Sequence, residues 1–252
     1  MTNDSELSSL APIAEAVVLM AGSGSRLRAN GLNLPKPLIP IHGRPLISYT
    51  IDALVHAGIK IVYAVVGFES ESLMAQMRPL IPHTLDVRFI TNRDWKKQNG
   101  ISVLVAAEHV RSPFLLTMSD HLFDQSIFEV VLRAPCNRLN LAIDRKLNSM
   151  VDLDDAMKVQ TRGEQIAAIG KNLRTYDAID TGLFVCPHEI FQYLERAKQN
   201  GDCSLADGVR LMADDGKTRA IDIGGAWWQD VDTPEMRAHA EENLRGLARL
   251  KS

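Results

Sequence analysis

Residues 16–118 alternate between short apolar runs and stretches with helical spacing, and few folds accept that order. Ala16–Met20, Lys60–Val66 (KIVYAVV), Asp86–Thr91 (DVRFIT) and Phe114–Met118 (FLLTM) read as strands, β-branched and too short for helices. Between them, Pro45–His56 puts Leu46, Ile47, Ile51, Leu54 and Val55 on one side of a helix that Gly58 stops. Ser70–Leu80, which ends before Pro82, and Ile101–Val110 are the next helices. Parallel strands need crossovers of this kind, so the pattern predicts an α/β fold: a mixed, mostly parallel central sheet with helices on both faces.

The second half changes character. Leu139–Asp144, Ala156–Gln160, Gln165–Ile169, Thr181–Cys186 and Thr218–Ile223 read as strands on shorter connections, some antiparallel. Pro187–Gln199, Leu205–Asp214 and the amphipathic Pro234–Leu250 read as helices. No low-complexity linker or internal repeat divides the chain. Its 252 residues, 46% of them hydrophobic, suffice for one large core, so a single domain is expected over 14–252. The polar, acidic residues 1–13 are expected to form a disordered tail and do not read as a signal peptide.

A net charge of −3 supplies no global attraction for nucleic acid or anionic membrane. No apolar run approaches the roughly 20 residues of a spanning helix. Cys136, Cys186 and Cys203 are odd in number and far apart, giving neither a disulfide framework nor zinc-ligand spacing. A cytoplasmic setting is expected.

The first strand runs into Met20-Ala21-Gly22-Ser23-Gly24-Ser25-Arg26, and Pro35-Lys36-Pro37 follows ten residues later. Gly22 and Gly24 permit a sharp turn and let a phosphate approach backbone N–H groups. A dinucleotide fingerprint would need a third glycine and an immediate helix; instead Arg26 intrudes, and Asn30-Gly31 and Asn33-Leu34-Pro35 interrupt. A Walker loop would need Gly-Lys-Ser/Thr, which is absent. A plain turn without a ligand is the remaining alternative.

Further polar groups stand at predicted strand ends. Ser119-Asp120-His121 follows FLLTM, where open α/β sheets bind ligands. Asp120 is either part of a ligand site or a helix cap, and Asp124 is better placed to cap the helix near Gln125. Asp230 and Asp232 flank Val231 and face one way in an extended segment, although Asp232 or Thr233 also suits the cap of the last helix. Asn99, Gly100 and Ser102 precede or open a helix. They offer either capping or, for a flat base, close approach and hydrogen bonds. Asp144-Arg145, Lys158, Lys171 and Asp180-Thr181-Gly182 sit at other strand edges. Trp227 and Trp228 read as core, with a cage for a cationic acceptor as the alternative.

Together AGSGSRL, PKPL, NGISVLVAAEHV, LLTMSDHLF, AIDR, IGKNLRTYDAIDTGLFV and WWQDVDT resemble the CTP:inositol-1-phosphate cytidylyltransferases, within the sugar-phosphate nucleotidyltransferase superfamily. The similarity runs over about residues 14–245. It implies the Rossmann-like fold of nucleotide-diphospho-sugar transferases, with a nucleotide-binding half (about 14–135) and an acceptor-binding half (about 136–252). It implies that residues 20–26, Lys36, Asn99, Gly100 and Ser102 bind CTP. Mg²⁺ would sit on Asp120 with Asp230 or Asp232. Asp144, Lys158, Lys171, Asp180, Thr181 and Gly182 would face a small phosphorylated alcohol. Arg26, Lys36, Asp120 and Lys171 would carry the chemistry, with His121 structural.

Many relatives also carry a membrane domain that makes di-inositol phosphate phosphate, an activity not expected of this chain. Oligomeric state is left open. Cytidylyl transfer to phosphocholine or 2-aminoethylphosphonate, nucleotidyl transfer to a sugar 1-phosphate, and a non-catalytic nucleotide sensor are the other readings.

Overall fold

A computed structural model describes residues 13–29, 34–111, 113–149 and 152–250. Apart from Ile13, the tail expected over 1–13 lies outside the described residues, as do Asn30, Gly31 and Asn33. In chain order the elements are β1 (Glu15–Met20), α1 (Ser25–Ala29), β2 (Pro40–Ile41), β3 (Arg44–Pro45), α2 (Leu46–His56), β4 (Ile61–Val66), α3 (Ser70–Met77), β5 (Asp86–Thr91), α4 (Asn99–Leu104), β6 (Phe114–Met118) and β7 (His121–Phe123). There follow α5 (Gln125–Arg133), β8 (Leu139–Asp144), β9 (Lys158–Arg162), β10 (Gln165–Gly170), β11 (Ala178–Cys186), α6 (Ile190–Ala197), α7 (Leu205–Asp214), β12 (Thr218–Asp222), β13 (Trp228–Asp230) and α8 (Pro234–Leu250).

Nine strands form one sheet in the order β10-β9-β11-β6-β1-β4-β5, with β8 and β12 branching from β11. The pairings orient β1, β4, β5, β6, β8, β9 and β12 one way and β10 and β11 the other. The sheet is thus mostly parallel in direction, as expected. Alternate residues of each strand feed two cores. In β1, Val17 and Leu19 pack beneath α4, α6 and α7. Ala16, Val18 and Met20 pack beneath α2, α3 and α5. Burial on both faces explains why the central strands read as unbroken apolar runs.

Some expected boundaries move. The helix expected over Ile101–Val110 ends at Leu104, because Ala106, Ala107 and His109 donate to carbonyls three residues back and tighten the chain into turns. The helix expected from Pro187 begins at Ile190, after a similar turn. Val55 lies on the exposed flank of α2, although Leu46, Ile47, Ile51 and Leu54 are buried. Two small sheets went unread: β2 with β3, and β7 antiparallel to β13. The second of these builds the site.

Candidate active site

β1 and β6 are parallel neighbours and end at one edge of the sheet. β1 runs out into the glycine loop and β6 into Ser119 and Asp120, and the Ser119 amide donates to the Leu19 carbonyl at 3.0 Å. Gly24 lies in the left-handed region at φ 62°, with the Lys36 Cβ 2.9 Å from where its own Cβ would stand. The loop and the Pro-Lys-Pro turn therefore lock together, which explains their spacing in sequence. Gly22 has nothing within 4 Å of a built Cβ. Among the described residues α1 runs over Ser25–Ala29 directly after the glycine loop.

The carboxylates meet through the small β7–β13 sheet. Asp230 stands opposite His121, and the Val231 amide donates to the Asp120 carbonyl at 2.9 Å. Val231 points into a small core with Ile41, Leu46 and Leu122, so Asp230 and Asp232 turn the other way. Lys36 donates to both Asp120 and Asp232. Burial alone would lower the Lys36 ammonium, but the charges of Asp120 and Asp232 outweigh it and raise its pKa. Burial would likewise raise the Asp120 carboxyl; Lys36 and His121 hold it far below the usual range instead. Burial pushes Asp230 up, against the lowering charge of His121 and with help from Asp232 and Asp120.

Two adjoining cavities share Arg26, Asn99, Met118 and Asp232. One, of about 350 Å³, lies over Met20–Leu27, with Lys36, Ser102, Ser119 and Asp120 in its walls. The other, of about 510 Å³, extends over the second half of the chain. At the junction Asp155 accepts from Arg26 and from Lys171, tying the first half of the chain to the second. Arg26 also donates to Asp232. Asp155 escaped the sequence reading. It is one of three acids in the run VDLDDA, and no local pattern marks which of them faces a cation across the fold.

The predicted base and acceptor residues divide. Asn99 and Ser102 line the first cavity, although the Asn99 Oδ1 accepts from the Leu205 amide and the Ser102 Oγ from Asn92. Gly100 does not line it: its missing side chain leaves room for the backbone of Cys203 and Ser204, 2.6 Å from a built Cβ, so it serves helix packing. Asp144, Lys171, Asp180 and Gly182 line the second cavity. Lys158 and Thr181 do not. The Lys158 ammonium donates to the carbonyls of Asp154 and Lys171, and the Thr181 hydroxyl to that of Ala142. Both are tied into the backbone because their strands bury them.

Gly182 sits in the register irregularity of β11 at φ 78°, where a Cβ would strike His121 Nε2 at 2.7 Å. His121 is thus enclosed. Its Nδ1 meets Asp120 at 2.6 Å, and its ring stacks on Trp228 with centroids 5.9 Å apart. Burial opposes its charge, but Asp120 raises its pKa. The Trp228 indole donates to Asp144 at 2.9 Å, making Trp228 a wall with one face covered. Trp227 packs in the core of Val231 and Leu122.

Asp120, Asp230 and Asp232 are hard oxygen donors, and two of them converge on one ammonium. Among the described residues no three acidic, His or Cys side chains form a ready-made metal cage. Magnesium typically takes one or two carboxylates and completes its shell with phosphate oxygens and water, so the donor set fits that ion.

Residues 16–143 match the family model of the MobA-like NTP transferase domain. The chain is 36% identical over 231 residues to the bifunctional IPC transferase and DIPP synthase of Thermococcus kodakarensis, covering 91% of this chain and 50% of that protein. It spans about half the length of the bifunctional relatives it matches. It is 29% identical over 245 residues to the UTP–glucose-1-phosphate uridylyltransferase AglF of Haloferax volcanii, covering 92% and 96% of the two chains. The fold superposes on the inositol-1-phosphate CTP transferase from T. maritima with a TM-score of 0.81 and 24% identity, over 92% of this chain and 98% of that one. The glycine loop, the paired acids at the sheet edge and the family model agree: the chain belongs to the MobA-like NTP transferase domain family.

Proposed function

We propose that this chain transfers a cytidylyl group from CTP to inositol 1-phosphate, forming CDP-inositol and releasing pyrophosphate. The observation that carries the reading is the convergence of Lys36, Asp120 and Asp232 beneath the glycine loop, with Arg26 and Lys171 at the junction of two cavities. The bifunctional relatives, named as IPC transferases, support the choice of substrates.

The chemistry must bring two polyanions together. CTP lies along Met20–Arg26, its triphosphate against the amides of the loop and the charges of Arg26 and Lys36. Asp120, with Asp230 or Asp232, would hold magnesium, which would supply charge neutralisation at the phosphate oxygens. Lys171 holds the acceptor phosphate at the junction. Its oxygen attacks the α-phosphorus, the bond to the bridging oxygen breaks, and pyrophosphate leaves against Arg26 and Lys36. The attacking group is already an anion, so no general base is required. Catalysis is positioning plus electrostatics.

The two halves act as one domain, because one sheet crosses both. The three free cysteines fit a reducing cytoplasm. Among the described residues no helix is long and apolar enough to cross a membrane.

The test is pyrophosphate release from CTP and magnesium with inositol 1-phosphate, glucose 1-phosphate or phosphocholine. Inositol 1-phosphate is expected to give the highest kcat/KM, and chelation of magnesium to abolish turnover. Preference for another acceptor would replace the substrate. CTP binding without pyrophosphate release under any condition would favour a sensor.

A further inference from the structure

The second cavity contains polar groups that the proposed chemistry does not use. α8 contributes His239 and Asn243, one helical turn apart, and β13 contributes Gln229. These three side chains form a chain of hydrogen bonds whose direction can be read. The Gln229 Nε2 donates to the Asp230 carbonyl at 2.8 Å and to Asp230 Oδ1 at 3.2 Å. A carbonyl only accepts, so this contact fixes the amide, and the Gln229 Oε1 faces His239 Nδ1 at 2.9 Å. The imidazole must therefore donate from Nδ1. In its neutral form Nε2 is left as a lone-pair acceptor. The nearest protein donor, Asn243 Nδ2, stands 3.3 Å from both ring nitrogens and has a closer acceptor in the His239 carbonyl at 3.0 Å. A half-buried acceptor in the wall of a cavity, whose protein donor is shared between both ring nitrogens at 3.3 Å, suits a ligand hydroxyl.

We propose that His239 Nε2 accepts a hydrogen bond from a hydroxyl on the alcohol moiety of the acceptor substrate, with Gln229 as the positioning residue that sets its tautomer. The inference rests on the reading of the second cavity as the acceptor's. It assigns to α8 a share in choosing the substrate. A polyol phosphate supplies a hydroxyl donor to Nε2 in addition to the long Asn243 contact, whereas a trimethylammonium headgroup has none. The link also ties acceptor recognition to Asp230, because one glutamine side chain spans both.

The test compares the wild-type chain with His239→Ala, His239→Gln and Gln229→Leu in one buffer. Turnover is measured with CTP, magnesium and inositol 1-phosphate. His239→Ala is expected to raise KM for inositol 1-phosphate about tenfold, the loss of one hydrogen bond, and to leave KM for CTP within about twofold. The amide oxygen of His239→Gln reaches the Nε2 position and is expected to restore acceptor KM to within about threefold of wild type. Gln229→Leu, which frees the tautomer, is expected to fall between. An unchanged acceptor KM in His239→Ala, an equal rise for both substrates, or no recovery in His239→Gln overturns the proposal, as does a wild-type preference for phosphocholine. Wild-type enzyme that releases no pyrophosphate with any acceptor overturns the parent reading instead. Active wild type with a silent His239→Ala overturns this inference alone.

Discussion

Lys36 and Asp120, 84 residues apart in sequence, form an ion pair in the wall of the cavity over the glycine loop, and Lys36 carries Asp232 on the same ammonium. Their side chains are 12% and 22% exposed. A pair this enclosed is electrostatically stronger than a surface one, and breaking it strands a charge. It also places cation and carboxylates where triphosphate and magnesium would meet. Lys36→Ala and Asp120→Asn are each expected to lower turnover about 10²–10³-fold, as the loss of one preorganised electrostatic contact commonly does. Pyrophosphate release by purified, folded variants checks this. Activity within a few-fold of wild type in both would remove the pair from the mechanism.

Asp155 occupies the cations that phosphates would use. Its pairs with Arg26 and Lys171 are exposed, with side chains 50% and 41% accessible in each, so they add little stability. The hydrogen bond from Lys171 and the two positive charges lower the Asp155 carboxyl against partial burial. Asp155→Asn removes a competitor for anions. Thermal unfolding is expected to shift by no more than about 3 °C. The inhibition constant for pyrophosphate is expected to fall a few-fold in a competition assay. Weaker pyrophosphate binding would mean that Asp155 orients the cations rather than competes for them.

Gly22 and Gly24 separate a functional reading of the loop from a structural one. Gly24 has a positive φ and stands against Lys36, so Gly24→Ala is expected to cost about 1–3 kcal/mol and to displace Lys36. Gly22 has open space and no left-handed angle. Gly22→Ala is therefore expected to leave the melting temperature unchanged or slightly raised, because it restricts the unfolded chain. Its KM for CTP is expected to rise if phosphate packs on the loop. Calorimetry and steady-state kinetics on both variants decide. An unaltered KM in Gly22→Ala would favour a plain turn.

Asp180 sets a pH dependence of stability. Burial raises its carboxyl to about 6, against the lowering effects of the Gly182 amide and the charge of His121. The folded state thus holds a proton that the unfolded state has released between about pH 4 and 6. Any stability from this group is present below that window and is lost as pH rises through it. Asp180→Asn removes the loss. The melting temperature of the variant relative to wild type is expected to be higher at pH 8 than at pH 5. An equal difference at both values would show that Asp180 is ionised throughout.

Much of this molecule is visible in its order of residues. Strand runs such as Asp86–Thr91 and Phe114–Met118 coincide with the observed elements, because burial on two faces or on alternate residues leaves a local signature. The glycine loop and Asp124 as a helix cap are equally local: the Asp124 carboxylate accepts from the Ser126 amide two residues on. Where two readings of a residue were both locally valid, neighbours brought in by the fold chose between them. Gly100 is a packing glycine because Cys203 and Ser204 arrive against it from more than 100 residues away.

Residue type and strand-edge position thus announced Arg26, Lys36, Asp120, Asp230 and Asp232 as polar groups at one rim, since short-range hydrophobic periodicity dictates where a strand must stop. Which charges touch was decided by the tertiary structure: the β1–β6 pairing brings the glycine loop beside Asp120, and the β7–β13 pairing sets Asp230 opposite His121. Those contacts join segments far apart in the chain. Asp155 meets Arg26 across 129 residues and Asp232 meets Lys36 across 196, so no window of neighbouring residues contains both partners.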